Sequence, residues 1–258
     1  MQKETNDKPA IDEKIEFGLP NPNMTCKNMI FTSVGDNTSF QDIWIADEMN
    51  YDIYAIYYGN NEDVFENYKV KVKFIEKRKG SKFQNFKYFY SHYPEIIDKY
   101  DYFFILDDDI LINVSGINEM FDIADKYKLS ICGPSFSNGV ISHDITKHRV
   151  NRLLTYTNFV EVNVPLFSKI SLEKFMQKLD CSLIGWGIDF LYIWCNGMNK
   201  QKDYAIIHKI KCENPKKKMR ELNNCEGYHQ RTSDWKKYAK KINCPFRFIL
   251  LEYSSVKL

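Results

Sequence analysis

The chain has 258 residues and a mass of 30.6 kDa, enough for one large domain with a substantial core. Its net charge of +2 predicts no general attraction to nucleic acid or to acidic membranes. The seven cysteines show neither a CxxC pair nor a zinc-module spacing, which indicates reduced thiols in a cytoplasmic protein. The N-terminus is polar, and no apolar run approaches the roughly 20 residues of a membrane span, so we expect neither a signal peptide nor a span.

Residues 1–25 are polar and carry proline and glycine, and we predict a polar arm there, followed by one domain over residues 26–258. The first half of that domain alternates β-leaning apolar runs with helical patterns. Predicted strands cover residues 28–34, 51–58, 68–75 and 102–106. Predicted helices begin near residue 39 and occupy much of 83–99, with an interruption at Pro94.

The second half mixes the two patterns. Predicted strands cover residues 129–132, 159–167 and 204–210, and predicted helices cover 117–128, 171–179, 186–198 and 233–242. A polar stretch rich in His and Arg lies at 134–158, and the PKKKMR segment reads as an exposed loop. The whole pattern predicts an α/β fold with a doubly wound, mostly parallel sheet and a mixed second half.

In open α/β sheets, ligands bind beyond the carboxyl ends of the strands. Three predicted loops meet this condition: the turn at Gly35 and Asp36, the basic segment EKRKGSKFQN, and the acidic triplet Asp107–Asp109. Cationic side chains around a glycine suit a diphosphate, although charged segments are more commonly solvated turns. The residues predicted to bind a nucleotide donor are Gly35, Asp36, Glu76, Lys79, Ser81, Lys82, Asp107 and Asp108.

The triplet ends an apolar run, YDYFFILDDDI, where three like charges repel each other and are costly to bury. Asp107 and Asp109 form an Asp-x-Asp pattern, and hard cations such as Mg²⁺ or Mn²⁺ take carboxylate and phosphate oxygens. A bound cation there would neutralise a leaving diphosphate, as GT-A glycosyltransferases do with nucleotide-sugars. The alternative is a solvated turn that ends the strand.

A second acidic position lies in the segment LIGWGIDFLYIW. Asp189 falls near the start of a predicted helix, where a carboxylate either interacts with the helix N-terminus or acts as a general base. We favour the base, because Gly187 lets the chain approach a sugar closely and Trp186 offers a stacking surface.

Four ordered blocks, YDYFFILDDDI, SHDITKHR, FVEVNVPLFSK and GWGIDFLYIWCN, resemble the plant and viral family known as domain of unknown function 707. The resemblance spans roughly residues 28–215. It implies a GT-A-like, Rossmann-like domain with glycosyltransferase activity. The chain is also similar to members from large algal DNA viruses, which implies a role in viral capsid glycan synthesis in the host cytoplasm.

Carried over residue by residue, the resemblance implies that Asp109 is the direct metal ligand. It places Glu161 and Asp189 at acidic positions of the family pattern and His143 in its His-containing loop. One departure is His143-Asp144, where the family has two adjacent histidines. Another is His208, at a position that is commonly acidic, and this histidine either completes a metal shell or is an ordinary strand residue. Acceptor or sugar contacts are predicted for His143, Glu161, Trp186 and Gly187.

The leading hypothesis is a metal-dependent, inverting glycosyltransferase that uses Mn²⁺ or Mg²⁺ and a UDP-sugar, possibly UDP-xylose, to modify a glycan hydroxyl. Asp107, Asp109 and His208 are the predicted metal ligands, and Asp189 is the predicted base. One alternative is a non-catalytic carbohydrate-binding module, which would bind sugar without metal or nucleotide. Another is an aspartate-nucleophile phosphatase, whose motif requires a Thr or Val that this chain lacks after Asp109.

Overall fold

The computed structural model describes residues 26–215 and 225–258. The predicted N-terminal arm and residues 216–220 of the PKKKMR loop lie outside the described residues. The strands are β1 (Asn28–Val34), β2 (Asp52–Tyr57), β3 (Phe74–Lys77), β4 (Tyr102–Asp107), β5 (Ile131–Gly139), β6 (Arg152–Thr157), β7 (Leu166–Ser168), β8 (Tyr204–Asn214) and β9 (Glu252–Lys257). The helices are α1 (Phe40–Ile43), α2 (Glu62–Lys69), α3 (Lys82–His92), α4 (Pro94–Ile97), α5 (Val114–Lys126), α6 (Lys169–Met176), α7 (Ile188–Asn196) and α8 (Arg231–Ile242).

The described strands form one sheet of nine in the order β3-β2-β1-β4-β7-β5-β8-β6-β9. Strands β1 to β4 are mutually parallel, whereas β7 runs antiparallel to both β4 and β5, and β6 runs antiparallel to β8 and β9. This arrangement confirms the predicted α/β fold with a parallel first half and a mixed second half. Ser33 of β1 lies opposite Asp107 of β4, so these two strands end at the same level of the sheet.

The inner strands β1 and β4 are buried on both faces, as their near-continuous apolar sequences predict. Phe103 and Ile105 of β4 point into a core shared with α3, α6, α7 and α8, whereas Phe104 and Leu106 point into a core shared with α1, α2 and α5. The acidic triplet therefore follows a strand that packs on both sides. Its position is fixed by the core.

The predicted strand at residues 68–75 is wrong. Helix α2 runs to Lys69, and β3 begins only at Phe74. The Asn61 side chain caps α2 by accepting hydrogen bonds from the backbone N–H groups of Asp63 (3.0 Å) and Val64 (3.3 Å). Tyr68 is buried edge-on against Phe40, with ring centroids 5.1 Å apart. The alternation of lysine with apolar residues there reflects the end of a helix and a turn.

Two further differences concern the second half. Of the predicted strand at 159–167, only the end is β-structure, as β7, because Phe159–Pro165 turns instead, with the N–H of Val164 donating to the carbonyl of Glu161 at 3.2 Å. The polar stretch at 134–158 contains most of β5 and all of β6, and β9 lacks a predicted counterpart. The turn at Phe159–Pro165 matters because it carries Glu161 and Asn163 toward the end of β4.

Candidate active site

A cavity of about 730 Å³ opens beyond the carboxyl ends of β1 and β4. The loop before α7 lines it as well, together with Arg247, Phe248 and Leu250 near the C-terminal end of the chain. Ten of the residues predicted from the sequence to bind or react line this cavity, and their roles stay predictions. They are Ser81, Lys82, Asp107, Asp108, Asp109, His143, Glu161, Trp186, Gly187 and Asp189.

On the triplet side of the cavity (Ser81, Lys82 and Asp107–Asp109), a buried ion pair stands out. The Lys82 Nζ atom lies 2.8 Å from Asp107 Oδ1, and the Lys82 side chain is only 10% exposed. The same ammonium donates to the carbonyl oxygens of Ile105, Val162 and Asn163 at 2.8–3.1 Å. Burial lowers the pKa of Lys82, and the Asp107 carboxylate opposes that shift. Burial likewise raises the pKa of Asp107, and Lys82 opposes it, so each charge is held by the other.

Asp108 connects the loops that follow β1 and β4. Its Oδ2 atom accepts from the N–H of Gly35 at 3.1 Å and from the hydroxyl of Tyr58 at 3.4 Å. Gly35 does not line the cavity, and a Cβ at that position would come within 2.7 Å of the Tyr58 ring and hydroxyl. The glycine therefore serves the close packing of Tyr58, which does line the cavity and was not singled out from the sequence.

The carboxylates of the triplet suit a hard divalent cation in chemical type. Both oxygens of Asp107 already accept hydrogen bonds, Oδ1 from Lys82 and Oδ2 from Asn163 Nδ2 at 2.8 Å. Asp109 is half-buried in the same cavity, and its role as the direct ligand stays a prediction. Within residues 26–215 and 225–258, no group of three or more His, Cys, Asp or Glu side chains forms a ready-made metal site. The residues fit a cation that keeps water or substrate phosphate among its ligands, as Mg²⁺ commonly does.

The structure does not bring His208 into this cavity. Its ring is 1% exposed on β8, where Nδ1 accepts from the N–H of Arg149 at 3.2 Å and Nε2 lies 3.0 Å from Thr155 Oγ1. Burial lowers its pKa to about 4, so the ring is neutral at pH 7. Because both ring nitrogens have protein partners away from the triplet, the strand interpretation replaces the metal-ligand one.

Three predicted donor contacts are instead engaged in the framework and do not line the cavity. The Asp36 carboxylate accepts from the hydroxyl of Tyr57 and from the backbone N–H groups of residues 60 and 61. Glu76 accepts from the hydroxyls of two tyrosines at positions 88 and 93 (2.7 and 2.9 Å). Lys79 donates to the carbonyls of residues 58 and 59. The first and third of these contacts stabilise the Tyr58 loop.

Asp189 lies in the first turn of α7, as the sequence predicted, and is 7% exposed. Gly187 is the N-cap of α7 and has a φ of +84°. A Cβ at this position would lie 2.3 Å from the Trp235 ring, so glycine is required for both conformation and packing. Asp189 Oδ1 accepts from the N–H of Phe190 at 2.9 Å. Burial, and secondarily the Glu161 charge, raises the pKa of Asp189 to about 7, while this hydrogen bond and Arg247 oppose the rise.

Glu161 is the second buried carboxyl, 2% exposed, and it contacts the Thr146 hydroxyl at 3.4 Å. Burial raises its pKa to about 7, against hydrogen bonds from Ser142 and Thr146. Asp107 and Lys82 act on this pKa as well, and Glu161 acts on the pKa of Asp189. Glu161 therefore interacts electrostatically both with the triplet side and with Asp189.

The aromatic side of the cavity (Trp186, Asp189, Phe190, Arg247 and Phe248) is completed by a segment that the sequence did not single out. Trp186 stacks on Phe246 with ring centroids 5.2 Å apart, and the Arg247 guanidinium lies 4.7 Å from the Trp186 centroid. Phe248 packs edge-on against Phe190 at 5.0 Å. Nearby His143, edge-on to Phe159, has its pKa lowered first by burial and then by Arg247. The alternating aromatic residues of the PFRF segment could have indicated this wall, but the residues they contact, Trp186 and Phe190, are distant in sequence.

The sequence matches the family described as "Protein of unknown function (DUF707)" over residues 23–158, more than half of the chain. The chain belongs to this family. The matched residues run from β1 to β6 and include the triplet, and the aromatic side lies beyond them. No curated protein matches the sequence.

Among solved structures, this DUF707 chain is similar in fold to S. aureus TarS. The crystal structure of TarS 1–349 in complex with UDP-GlcNAc superposes with a TM-score of 0.53 at 8% identity, covering 84% of this chain and 66% of TarS 1–349. The structure of TarS 1–349 without that ligand gives 0.53 at 8% identity, with coverages of 84% and 65%. The chain thus spans just under two thirds of that fragment, and the similarity shows a glycosyltransferase-like, GT-A fold. In the described residues, no helix combines the length and apolar character needed to cross a membrane.

Proposed function

We propose that this protein is a metal-dependent, inverting glycosyltransferase that moves a sugar from a nucleoside-diphosphate donor, UDP-linked, to a hydroxyl of a glycan. The observation that carries the proposal is a single cavity that holds both the strand-end carboxylates and two buried carboxyls with raised pKa values. A binding module does not need buried carboxyls with raised pKa values beside strand-end carboxylates. Such groups are typical of acid–base catalysis.

The donor would occupy the triplet side. Asp109, with Asp107 beside it, would hold Mn²⁺ or Mg²⁺, and the cation would supply charge neutralisation of the leaving diphosphate. Ser81 lines the same side as the N-cap of α3, and its backbone N–H donates to Gln84 Oε1 at 2.9 Å. Lys82 offsets the negative charge of the triplet and fixes Asp107.

The acceptor would occupy the aromatic side. Ionised Asp189 would remove the proton of the acceptor hydroxyl while the hydroxyl oxygen bonds to the anomeric carbon and the bond to the nucleoside diphosphate breaks. The proton ends on Asp189, and the electron pair leaves with the diphosphate. Attack from the face opposite the leaving group inverts the anomeric centre. At pH 7 a carboxyl with a pKa of about 7 is roughly half ionised, a balance that suits a base.

Thermal shift measurements with UDP, GDP and CMP, each with and without Mn²⁺, test the donor assignment. A ligand that binds only the folded state stabilises it by roughly 2.7 kcal/mol at a hundredfold excess over its dissociation constant. We expect UDP with Mn²⁺ to raise the melting temperature clearly more than either alone. UDP-xylose, UDP-glucose and UDP-galactose then rank the sugars by the same measurement.

Asp109→Asn should remove the Mn²⁺-dependent part of the shift, because an amide is a poorer ligand for a hard cation. Asp122→Asn, on the exposed face of α5, is the matched control and should leave the shift unchanged. If UDP raises the melting temperature equally with and without Mn²⁺, the metal dependence is wrong, although nucleotide binding is still supported. No shift with any nucleotide would contradict the transferase proposal itself.

A further inference from the structure

Two arginines line the cavity, and transfer of a sugar to a neutral acceptor gives them no role. Arg231 and Arg247 both line the cavity. Within residues 26–215 and 225–258, neither forms a salt bridge with an Asp or Glu, whereas Lys82, which lines the same cavity, is paired with Asp107. A cavity wall that presents guanidinium groups without carboxylate partners favours an anionic ligand, because Arg offers planar, charge-assisted hydrogen bonds to carboxylate and phosphate.

The packing brings these two arginines toward the same wall. Arg231 and Trp235 are four residues apart on α8 and so share a face of that helix. The ring of Trp235 packs directly on Gly187, and its Nε1 donates to the carbonyl of Phe246 at 2.9 Å. Phe246 in turn stacks on Trp186, which carries Arg247 on its ring. One continuous set of contacts therefore links the Arg231 face of α8 to Arg247.

The guanidinium of Arg231, and the backbone of the segment that carries Arg247, are held in place before any ligand arrives. Arg231 lies 3.7 Å above the Tyr228 ring centroid and donates to the Tyr228 carbonyl at 2.8 Å. The segment that carries Arg247 is tied to Asn158, whose side chain donates to the Ile249 carbonyl at 2.8 Å and accepts from the N–H of Leu251 at 2.7 Å. Ordering costs are thereby reduced, since the arginines are oriented by the protein itself.

The charges of the cavity divide between its two sides. Lys82 is paired with Asp107 among the carboxylates of the triplet. Arg247 instead acts on Asp189, where it opposes the rise in pKa that burial causes, and on His143, where it adds to the fall in pKa that burial causes. Arg247 therefore interacts with the carboxyl that would deprotonate the acceptor.

We propose that Arg247 and Arg231 form a subsite for an acceptor that carries a negatively charged group, a carboxylate or a phosphate ester, next to its reacting hydroxyl. This proposal rests on the proposed function and names its acceptor class. Trp186, whose ring stacks on Phe246 and carries Arg247, positions Arg247 at the cavity wall, and the two guanidinium groups bind the anionic substituent of the acceptor. The anion also offsets the effect of Arg247 on Asp189, which raises the basicity of that carboxylate when an acceptor is bound.

Ligand-observed NMR titrations with p-nitrophenyl β-glucuronide, p-nitrophenyl β-glucoside, glucose 6-phosphate and glucose provide the test. The first pair isolates a carboxylate and the second a phosphate. We expect at least one anionic sugar to bind about tenfold more tightly than its neutral counterpart, the effect of a charge-assisted hydrogen bond. Arg247→Gln and Arg231→Gln should each reduce that preference, and the double variant should abolish it. Arg149→Gln removes the same charge outside the cavity and should preserve it.

Equal binding of charged and neutral sugars, no detectable binding of either anionic sugar, or a preference that survives the double variant would overturn the proposal. Calorimetry with UDP and Mn²⁺ on the same variants separates it from the donor assignment. If Arg247→Gln weakens UDP binding and leaves the sugar preference intact, the arginine serves the diphosphate and the acceptor subsite is wrong. If UDP with Mn²⁺ binds the wild type but no anionic preference exists, the proposed function stands and this inference alone fails.

Discussion

The two sides of the cavity hold buried carboxyls in opposite electrostatic settings. Asp107 on the triplet side faces the Lys82 ammonium at 2.8 Å, whereas Asp189 and Glu161 have no salt bridge to a Lys or Arg within residues 26–215 and 225–258. Burial raises the pKa of all three groups, but only Asp107 has a bonded cation that opposes the rise. Residues of the same chemical type thus have different surroundings, which match the different tasks that the proposed function gives them.

This difference suggests how one fold separates charge binding from proton transfer. A carboxylate that must hold a cation needs its charge, and a lysine fixed by three carbonyls stabilises that charge. A carboxyl that must accept a proton near pH 7 needs a raised pKa, and burial supplies it at Asp189 and Glu161. The comparison makes opposite predictions for substitutions on the two sides.

The largest expected effect belongs to Asp189→Asn. The near-isosteric amide cannot accept the hydroxyl proton, so turnover should fall by roughly 10²–10⁴-fold, the usual contribution of a positioned base. Calorimetry with UDP and Mn²⁺ should give a nearly unchanged dissociation constant, because the triplet side is untouched. UDP release with a suitable acceptor measures turnover. A variant that keeps full activity, or one that loses donor binding instead, contradicts the assignment of the base.

The pH dependence of stability distinguishes the same two sides. Asp189 and Glu161 have folded-state pKa values of about 7, above their ordinary values of 3.8 and 4.5. The folded state therefore binds more protons than the unfolded state between about pH 4 and pH 7, and the free energy of unfolding falls as pH rises through this window. Asp189→Asn should remove as much as about 4 kcal/mol of that decline.

Urea unfolding of wild type and Asp189→Asn at several pH values between these limits measures the effect. Only the difference between the two proteins is diagnostic, because buried His208, with a pKa of about 4, contributes a rise in stability with pH over part of the same range. Parallel curves for the two proteins would mean that Asp189 ionises in the folded state as readily as in the unfolded one.

A smaller effect is expected from Lys82→Met on the triplet side. The substitution leaves Asp107 without its cation and leaves three carbonyls without their donor. Losing one partner of a fully buried pair costs about 3–5 kcal/mol, and because Asp107 is about a third exposed we expect about 2–3 kcal/mol. Urea unfolding measures this loss, and Lys174→Met on the exposed face of α6 is the control.

The double variant Lys82→Met with Asp107→Asn should recover part of the lost stability, because it removes the uncompensated charge. A double variant as unstable as the single one would show that the carbonyl contacts of Lys82, and not its pairing with Asp107, stabilise this side.

The sequence predicted best what is encoded locally. The apolar runs of β1 and β4 and the carboxylates after β4 could be located from the sequence alone, because a buried parallel strand is a continuous apolar run and a ligand site follows its carboxyl end. Tyr68 was misassigned to a strand because β-propensity and alternation coincide there with the end of a capped helix. The core packing of its ring against Phe40, a tertiary contact, overrides the local pattern.

The site was predicted in part for the same reason. Asp189 and Trp186 belong to one short segment, so their proximity follows from the sequence. The pairing of Lys82 with Asp107 and the stacking of Arg247 on Trp186 join residues that only the folded sheet brings together. Asp36 and Glu76 were predicted at the correct edge of the sheet, but nearby tyrosine hydroxyls engage their carboxylates.

The smallest effect is expected for His208→Gln, since this residue lies on neither side of the cavity. The dissociation constant for UDP with Mn²⁺ should stay within about twofold of wild type, because substitutions at sites without shared partners act independently. Stability should nonetheless fall by about 1–2 kcal/mol, since the ring accepts from the N–H of Arg149 and contacts Thr155 in a buried position. Calorimetry and urea unfolding on one preparation give both values. The variant must not lose the tightening of UDP binding that Mn²⁺ causes. If it binds UDP alone as well as wild type does but shows no tighter binding with Mn²⁺, then His208 reaches the cation in the liganded protein and is a metal ligand, as the sequence predicts.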